Sequence, residues 1–356
     1  MRKAALIAAR TLPPTTLAAA LLIGSLACRG GDAASMSRER TTPTASRAHP
    51  PPTSTPYVVV LGTAQDGGLP QMGCEDELCR AARADPAIRR RVTSLLLADP
   101  RSGKRWLFDA GPDLPEQAEL ARDHPAHRAE ADPGAAGGRP PLFDGVFLTH
   151  AHVGHYAGLA QFGREIYGAR EQVVFATARM EQFLAHNGPW KLLLETGAIR
   201  IEPLAFEQDL ELAPDLRVSC QPVPHRDEYS DTVLFVIRHG DFAVGYLPDI
   251  DKWERWSVPL ERFLAEVDLA FVDGTFFADG EVPGRAMAEI PHPFVSETLA
   301  RLASAPAELR AKVVFTHLNH TNPAAIPGSD ADRAIRAGGM RVALEGEIVP
   351  LARRNP

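Results

Sequence analysis

The sequence lacks several features that mark particular classes of protein. Basic residues are not in excess, because 38 Lys and Arg stand against 45 Asp and Glu and give a net charge of −7. No stripe of basic residues stands out, so a nucleic acid is not an expected partner. No internal repeat or heptad pattern is evident, so a repeat array or a coiled coil is not expected either.

Cysteine is also scarce, with four in the whole chain. Cys74 and Cys79 lie close together in the sequence, and two thiols are too few for a closed zinc site. In an oxidising compartment they are expected to form a disulfide. The alternatives are a structural metal with a third ligand such as Cys220, or two inert thiols.

Long apolar runs are absent except near the N-terminus, where Leu17–Ala27 is too short for a membrane span. Positive charge precedes this run, so residues 1–28 are predicted to be a signal for export. Residues 25–28 resemble a bacterial lipobox, which predicts a lipid on Cys28 and a protein of the periplasm or a membrane-anchored lipoprotein. Residues 29–55 have scarcely any large apolar side chain and are predicted to be a disordered linker.

Residues 56–352 are predicted to form one large α/β domain. Strand-like runs recur in both halves and are separated by helical stretches such as Ser296–Ala303. This alternation indicates two packed sheets with helices outside them.

Three histidines, His150, His152 and His155, follow the strand-like run Gly145–Thr149 within six residues. Imidazole is neutral near pH 7 and binds zinc, iron, nickel or copper through one nitrogen while the other nitrogen is held by a neighbour. A loop at the end of a strand presents such groups on a rigid scaffold. The cluster therefore predicts a metal site.

The run HAHVGH at positions 150–155 resembles the His-x-His-x-Asp-His signature of the metallo-β-lactamase superfamily. The resemblance implies an α/β fold, a four-layer αββα sandwich. It also implies that His225 completes the first metal site, that Asp249 bridges two metals, and that His317 joins His155 at the second. Asp251 is the alternative to Asp249, and His320 the alternative to His317.

Gly154 stands where this superfamily has an aspartate that binds the second metal. The second site is therefore expected to be weaker or to recruit a replacement, and a Gly154→Asp substitution is expected to strengthen it. Asp66, in the glycine-rich turn after the first strand, is a candidate replacement. Its other interpretation is a plain Asp-Gly turn residue.

Within the superfamily the chain resembles the PqqB (pyrroloquinoline quinone biosynthesis protein B) family in the segments 67–74, 273–276 and 317–323. A further resemblance, to the ribonuclease Z family, implies that Asp273 and His292 form a proton-transfer pair beside the metals, with His292 as general acid. The other interpretation is that Asp273 caps a turn and His292 is an exposed loop residue.

The combined prediction is a hydrolase that uses a metal-bound hydroxide, with one or two zinc ions and an unknown substrate. Two alternatives remain. The PqqB resemblance implies an iron-dependent oxidative enzyme with the same ligands, and a chain disabled by Gly154 would be a non-catalytic metal-binding lipoprotein.

Overall fold

The computed structural model describes residues 51–125 and 139–352, apart from 283, 285, 288 and 289. The predicted signal at 1–28, with Cys28, and most of the predicted linker at 29–55 lie outside these residues. In the part of the chain that is described, no helix is both long enough and apolar enough to cross a membrane.

Seven strands form the first sheet. They are β1 (Tyr57–Gly62), β2 (Ser94–Asp99), β3 (Lys104–Phe108), β4 (Gly145–Phe147), β5 (Gln172–Ala176), β6 (Ile199–Pro203) and β14 (Ile348–Pro350). Their order across the sheet is β14-β1-β2-β3-β4-β5-β6. The strands β3 to β6 are parallel, while β1 and β2 join them through antiparallel pairs.

Seven further strands form the second sheet. They are β7 (Leu210–Ala213), β8 (Leu216–Pro222), β9 (Val233–His239), β10 (Phe242–Leu247), β11 (Leu269–Asp273), β12 (Val313–Thr316) and β13 (Arg341–Val342). Their order is β13-β12-β11-β10-β9-β8-β7. The strands β10 to β13 are parallel, and β8 and β9 join them through antiparallel pairs.

Helices cover the outer faces of both sheets. Those described are α1 (Glu77–Ala84), α2 (Leu114–Leu120), α3 (Val153–Tyr156), α4 (Ala178–His186), α5 (Trp190–Glu195), α6 (Leu260–Ala265), α7 (Val295–Arg301), α8 (Ala307–Arg310) and α9 (Asp330–Ala337). The predicted helix at 296–303 corresponds to α7. Short 3₁₀ turns connect several of these elements.

Three apolar cores show how the layers pack. The central core joins side chains of both sheets, such as Phe108 and Phe147 with Phe235 and Tyr246. Phe147 and Phe108 stack at 4.8 Å between ring centroids, and Phe235 meets both rings edge-on. The other two cores lie between each sheet and its outer helices. This arrangement confirms the predicted four-layer αββα sandwich, because each sheet buries one face on the other sheet and one face on helices.

Candidate metal centre

The sheet topology brings the ends of distant strands together. In the first sheet β1 has the same direction as β3 and β4, because two antiparallel pairings separate β1 from β3. In the second sheet β8 has the same direction as β10, β11 and β12 for the same reason. Side chains that follow these strands therefore emerge at their carboxyl ends, which is where the predicted ligands occur in the sequence.

Three histidines make up the first ligand group, which is His150 and His152 after β4 and His225 after β8. One ring nitrogen of each lies within 4.8 Å of the others. Burial, helped by the nearby His155, holds the pKa of His150 well below 6.5, and burial also lowers the pKa of His152. Both rings are thus neutral near pH 7, which is the form that binds a metal.

The second ligand group is Asp66 after β1, His155 in α3 and His317 directly after β12. One donor atom of each lies within 4.8 Å of the others. His155 and His317 are almost completely buried, and the Asp66 side chain is 31% exposed. His317 takes a backbone φ of 60°, a left-handed conformation that is uncommon for a residue with a side chain. The structure therefore holds this histidine in a strained turn at the strand end.

Asp249 follows β10 and lies between the two ligand groups. Its Oδ2 is 3.1 Å from His155 Nε2 and 3.2 Å from His317 Nε2, while its Oδ1 is 3.7 Å from His225 Nε2. Burial alone would raise the pKa of Asp249, but the charges of His317 and His155 outweigh it and hold the pKa well below 3.8. This carboxylate is therefore ionised and positioned to be shared.

Five buried donor atoms of this cluster have no hydrogen-bond partner among the described residues. They are Asp66 Oδ1, His155 Nε2, His225 Nε2, Asp249 Oδ2 and His317 Nε2. A buried polar atom that is left unpaired costs about 1–3 kcal/mol. Imidazole nitrogens and carboxylate oxygens are the donors that zinc takes, so these residues fit bound metal ions.

The ring nitrogens that face away from the cluster are held by neighbouring side chains. The pairs are His150 Nδ1 with Thr149 Oγ1 at 3.0 Å, His155 Nδ1 with Asp109 Oδ2 at 2.8 Å, His225 Nδ1 with Asp251 Oδ1 at 3.3 Å, His317 Nδ1 with Thr275 Oγ1 at 2.9 Å, and His152 Nε2 with Glu228 Oε2 at 3.0 Å. Such partners fix the orientation of metal-binding histidines.

Asp109 fixes the position of the histidine loop. Its φ is 63°, and its carboxylate accepts hydrogen bonds from Thr149 N at 2.8 Å and from Tyr246 Oη at 3.1 Å. Burial would lower the pKa of His155, but the charges of Asp109 and Asp249 outweigh it and hold that pKa well above 6.5. His155 is therefore protonated when no metal is present.

Asp251, the sequence-based alternative for the bridging position, lies behind His225 instead of between the two groups. Its Oδ1 faces His225 Nδ1 and its Oδ2 accepts from Arg255 at 2.7 Å. Asp251 therefore positions a histidine, and Asp249 is the carboxylate that the structure places at the centre.

Asp273 and His292 pair as the sequence predicted. His292 Nδ1 lies 2.7 Å from Asp273 Oδ2, and both side chains are buried. His292 also belongs to a group with His225 and Asp249 in which one donor atom of each lies within 4.8 Å of the others. Burial would lower the pKa of His292, but the Asp273 charge outweighs it and raises that pKa. The alternative of an exposed loop histidine is wrong, since His292 is 3% exposed.

Cys74 and Cys79 are free thiols in this structure, so the disulfide prediction does not hold here. Burial, with a hydrogen bond to Cys74, raises the pKa of the Cys79 thiol to about 11. Their near neighbour is His320, with one donor atom of each within 4.8 Å, whereas Cys220 lies in the central core. His320 is therefore not the alternative to His317 that the sequence allowed.

Gly154 approaches Asp66 too closely for any side chain at position 154. A Cβ added there would lie 2.0 Å from Asp66 Oδ1 and 2.8 Å from Asp66 Cα. The expectation that Gly154→Asp strengthens the second site is therefore wrong for a chain that keeps Asp66, because the two side chains would occupy the same space.

Sequence reasoning missed the residues that orient the histidines, namely Thr149, Glu228, Tyr246 and Thr275. Thr149 and Thr275 sit immediately beside residues that the motifs singled out, so adjacency is a usable signal for them. Glu228 and Tyr246 carry no such signal. A glutamate in a loop and a tyrosine in a buried strand become informative only when the fold places them beside His152 and Asp109.

Comparison with known proteins identifies the family of this chain. A family model described as the β-lactamase superfamily domain matches residues 104–318. The chain belongs to the β-lactamase superfamily. Coenzyme PQQ synthesis protein B from Methylobacterium nodulans is 30% identical over 318 residues, which cover 82% of this chain and 99% of that protein. Within the superfamily the chain is thus a member of the PqqB family, as predicted.

Solved structures of the superfamily share the fold. Zn²⁺-bound PqqB from Methylobacterium extorquens matches with a TM-score of 0.68 and 23% identity, covering 83% of this chain and all of that one. A diphosphatase from the PhnP family matches with a TM-score of 0.57 and 22% identity, covering 83% and 96%. At these identities the likeness shows the β-lactamase superfamily fold alone.

Proposed function

We propose that this member of the β-lactamase superfamily is a zinc-dependent hydrolase with a binuclear centre. The observation that carries the proposal is the pair of ligand groups on either side of one ionised carboxylate, Asp249, in which five buried donor atoms have no hydrogen-bond partner in the described part of the chain. A purely structural cluster of histidines would use those atoms in hydrogen bonds to the protein.

The first ligand group would hold one ion, His155 and His317 would hold a second, and Asp249 would be shared. When bound, zinc lowers the pKa of a water ligand to about 7 and polarises the carbonyl or phosphoryl group under attack. That chemistry suits hydrolysis at neutral pH. The chain's own contribution is the fixed orientation of each imidazole by the pairs described above.

Asp273 and His292 supply the proton chemistry in this proposal. Asp273 holds His292 at Nδ1, which leaves Nε2 to donate a proton to the leaving group. The Asp273 carboxylate also stabilises the imidazolium and raises the pKa of His292 above 6.5, which favours the proton-donating form. Asp273 is a positioning residue, because its oxygens also accept from Thr275 N and Ile250 N.

The proposed substrate is a small molecule rather than a nucleic acid, since the net charge is −7 and no basic stripe is evident. We also propose export, with the domain in the periplasm or anchored to a membrane through lipid on Cys28. Metabolic labelling with a radiolabelled fatty acid tests the anchor. Label that persists in a Cys28→Ser variant would contradict it.

The deciding experiment measures metal content and hydrolysis on the same samples. The full chain, purified without added metal, is compared with Asp249→Asn and with a control, Asp279→Asn, which alters an exposed carboxylate in the loop after β11. We expect about two zinc ions per wild-type chain. We also expect zinc-dependent cleavage of an ester, lactam or phosphodiester reporter, and loss of both properties in Asp249→Asn alone.

Three results would overturn the proposal. If the wild-type protein held no tightly bound zinc, the ligand groups would not form a zinc centre. Iron in place of zinc would favour the oxidative alternative that the PqqB family implies. Two zinc ions without hydrolysis of any reporter class would favour a metal-binding protein without turnover.

A further inference from the structure

We propose that Asp66 is a metal ligand of the second site and supplies the carboxylate that position 154 lacks. This inference rests on the proposed binuclear centre and deepens it. In the superfamily signature an aspartate of the histidine loop, at the position of Gly154, binds the second metal. In this chain a carboxylate from the loop after β1 would take that role.

The space around Gly154 is the first observation in favour. The position of a Cβ at residue 154 falls 2.0 Å from Asp66 Oδ1, so the Asp66 carboxylate fills the place where a side chain of residue 154 would begin. Real Cβ atoms essentially never approach another heavy atom within 3.0 Å. The position of the Asp66 side chain therefore requires a glycine at residue 154.

The surroundings of the carboxylate are the second observation. Asp66 Oδ1 is buried and has no hydrogen-bond partner in the described chain, and it lies 3.6 Å from His155 Nε2. His155 Nε2 and His317 Nε2 are buried, have no hydrogen-bond partner among the described residues, and lie 3.1 Å and 3.2 Å from the shared carboxylate of Asp249. An ordinary Asp-Gly turn would place the Asp66 oxygen on a nearby backbone N–H. Here the oxygen instead belongs to one group with His155 and His317, as a ligand does.

The loop that carries Asp66 is tied to the loop that carries His317. Gln65 N donates to Leu318 O at 2.9 Å, Leu318 N donates to Thr63 O at 2.8 Å, and the side chains of Gln65 and Asn319 are hydrogen-bonded. These contacts place Asp66 and His317 on one rigid unit although they are far apart in the sequence. A rigid unit of this kind keeps two ligands at a fixed separation.

The test moves the carboxylate from position 66 to position 154 and measures the zinc bound by each variant. The variants are Asp66→Asn, Gly154→Asp and the double variant Asp66→Gly with Gly154→Asp, with Asp279→Asn as the control. Each full-length protein is stripped with a chelator and titrated with zinc against a chromophoric competitor. This yields the number of sites and their affinities without any activity assay.

We expect Asp66→Asn to keep the first site and to weaken the second by at least about tenfold, because an amide oxygen is a poorer zinc ligand than a carboxylate. Gly154→Asp alone is expected to lower the melting temperature and to weaken the second site, since two side chains compete for one space. The double variant is expected to regain both properties, which a nonspecific folding defect would not allow.

The outcomes separate this inference from the proposed function. A wild-type chain that binds fewer than two zinc ions would overturn the binuclear centre, and the inference with it. A wild-type chain that binds two, with second-site affinity unchanged in Asp66→Asn, would overturn the role of Asp66 alone. If the double variant bound zinc at the second site no better than Gly154→Asp, the idea that either position can supply the carboxylate would be overturned.

Discussion

Two histidines of the same loop, one from each ligand group, differ in how open they are to solvent. In the first group the His152 side chain is 15% exposed and its partner Glu228 is 49% exposed. In the second group His155 is fully buried against Asp109, which is also fully buried. His152 therefore lies nearer to solvent, while His155 lies in the interior of the domain. The position of His155 depends more strongly on the surrounding fold.

Removing one histidine from each group is the strongest way to test this comparison. We expect His152→Ala to remove tight binding at the first site and His155→Ala to remove it at the second, with activity lost in both. His155→Ala should also lower the thermal stability of the metal-free protein, because removing one partner of a buried charged pair costs about 3–5 kcal/mol.

Zinc titration combined with thermal unfolding measures both effects. Unchanged zinc content in both variants would contradict the ligand assignment. Equal destabilisation by the two substitutions would contradict the difference in burial between the two histidines.

A pH series sharpens the comparison further. Zinc binds neutral imidazole, and His155 has a pKa well above 6.5 in the metal-free protein, whereas His150 and His152 have lowered values. Zinc must therefore displace a proton at the second site. Its affinity should rise by about tenfold per pH unit until the pH passes the raised pKa of His155.

The zinc affinity of the first site should change less between pH 7 and 8, because the lowered pKa values of His150 and His152 keep both rings neutral there. Competition titrations at pH 6, 7 and 8 give the change of zinc affinity with pH for each site. An equal pH dependence of the two affinities would contradict the assigned protonation states.

The smallest expected effects come from the residues that orient the rings. Asp109→Asn should weaken the second site by about 10- to 100-fold, since outer partners of metal-binding histidines contribute by that much. Glu228→Gln should weaken the first site by less, because its contact with His152 is exposed to solvent. Zinc titration of the two variants tests which substitution weakens binding more. A larger loss of zinc affinity in Glu228→Gln than in Asp109→Asn would contradict this prediction.

The residues that can be singled out from the sequence alone are those that carry a local signal. His150, His152, His225, Asp249 and His317 all follow apolar runs, and the resemblance to a known family ordered them along the chain. The structure brings them together because those runs are strands of like direction. The pairing of Asp273 with His292 was also predictable in this way.

The remaining features depend on packing that the sequence does not encode locally. Nothing in a Gln-Asp-Gly-Gly turn distinguishes a ligand from a turn residue until Gly154 is placed against Asp66. The grouping of His320 with Cys74 and Cys79 likewise depends on which way the chain leaves β12 after His317. In both cases the decisive contact joins segments that are distant in the sequence.

The position of the donors in both sheets has a consequence for the order of folding. The cluster draws on loops from position 66 to position 317, and both sheets contribute to it. Contacts between such distant segments form slowly, because the chain must close long loops before any contact is gained. The cluster can therefore be complete only after both sheets have formed and docked. Ion capture would then be a late event, and a refolding chain that acquires zinc would report that its entire sandwich has assembled.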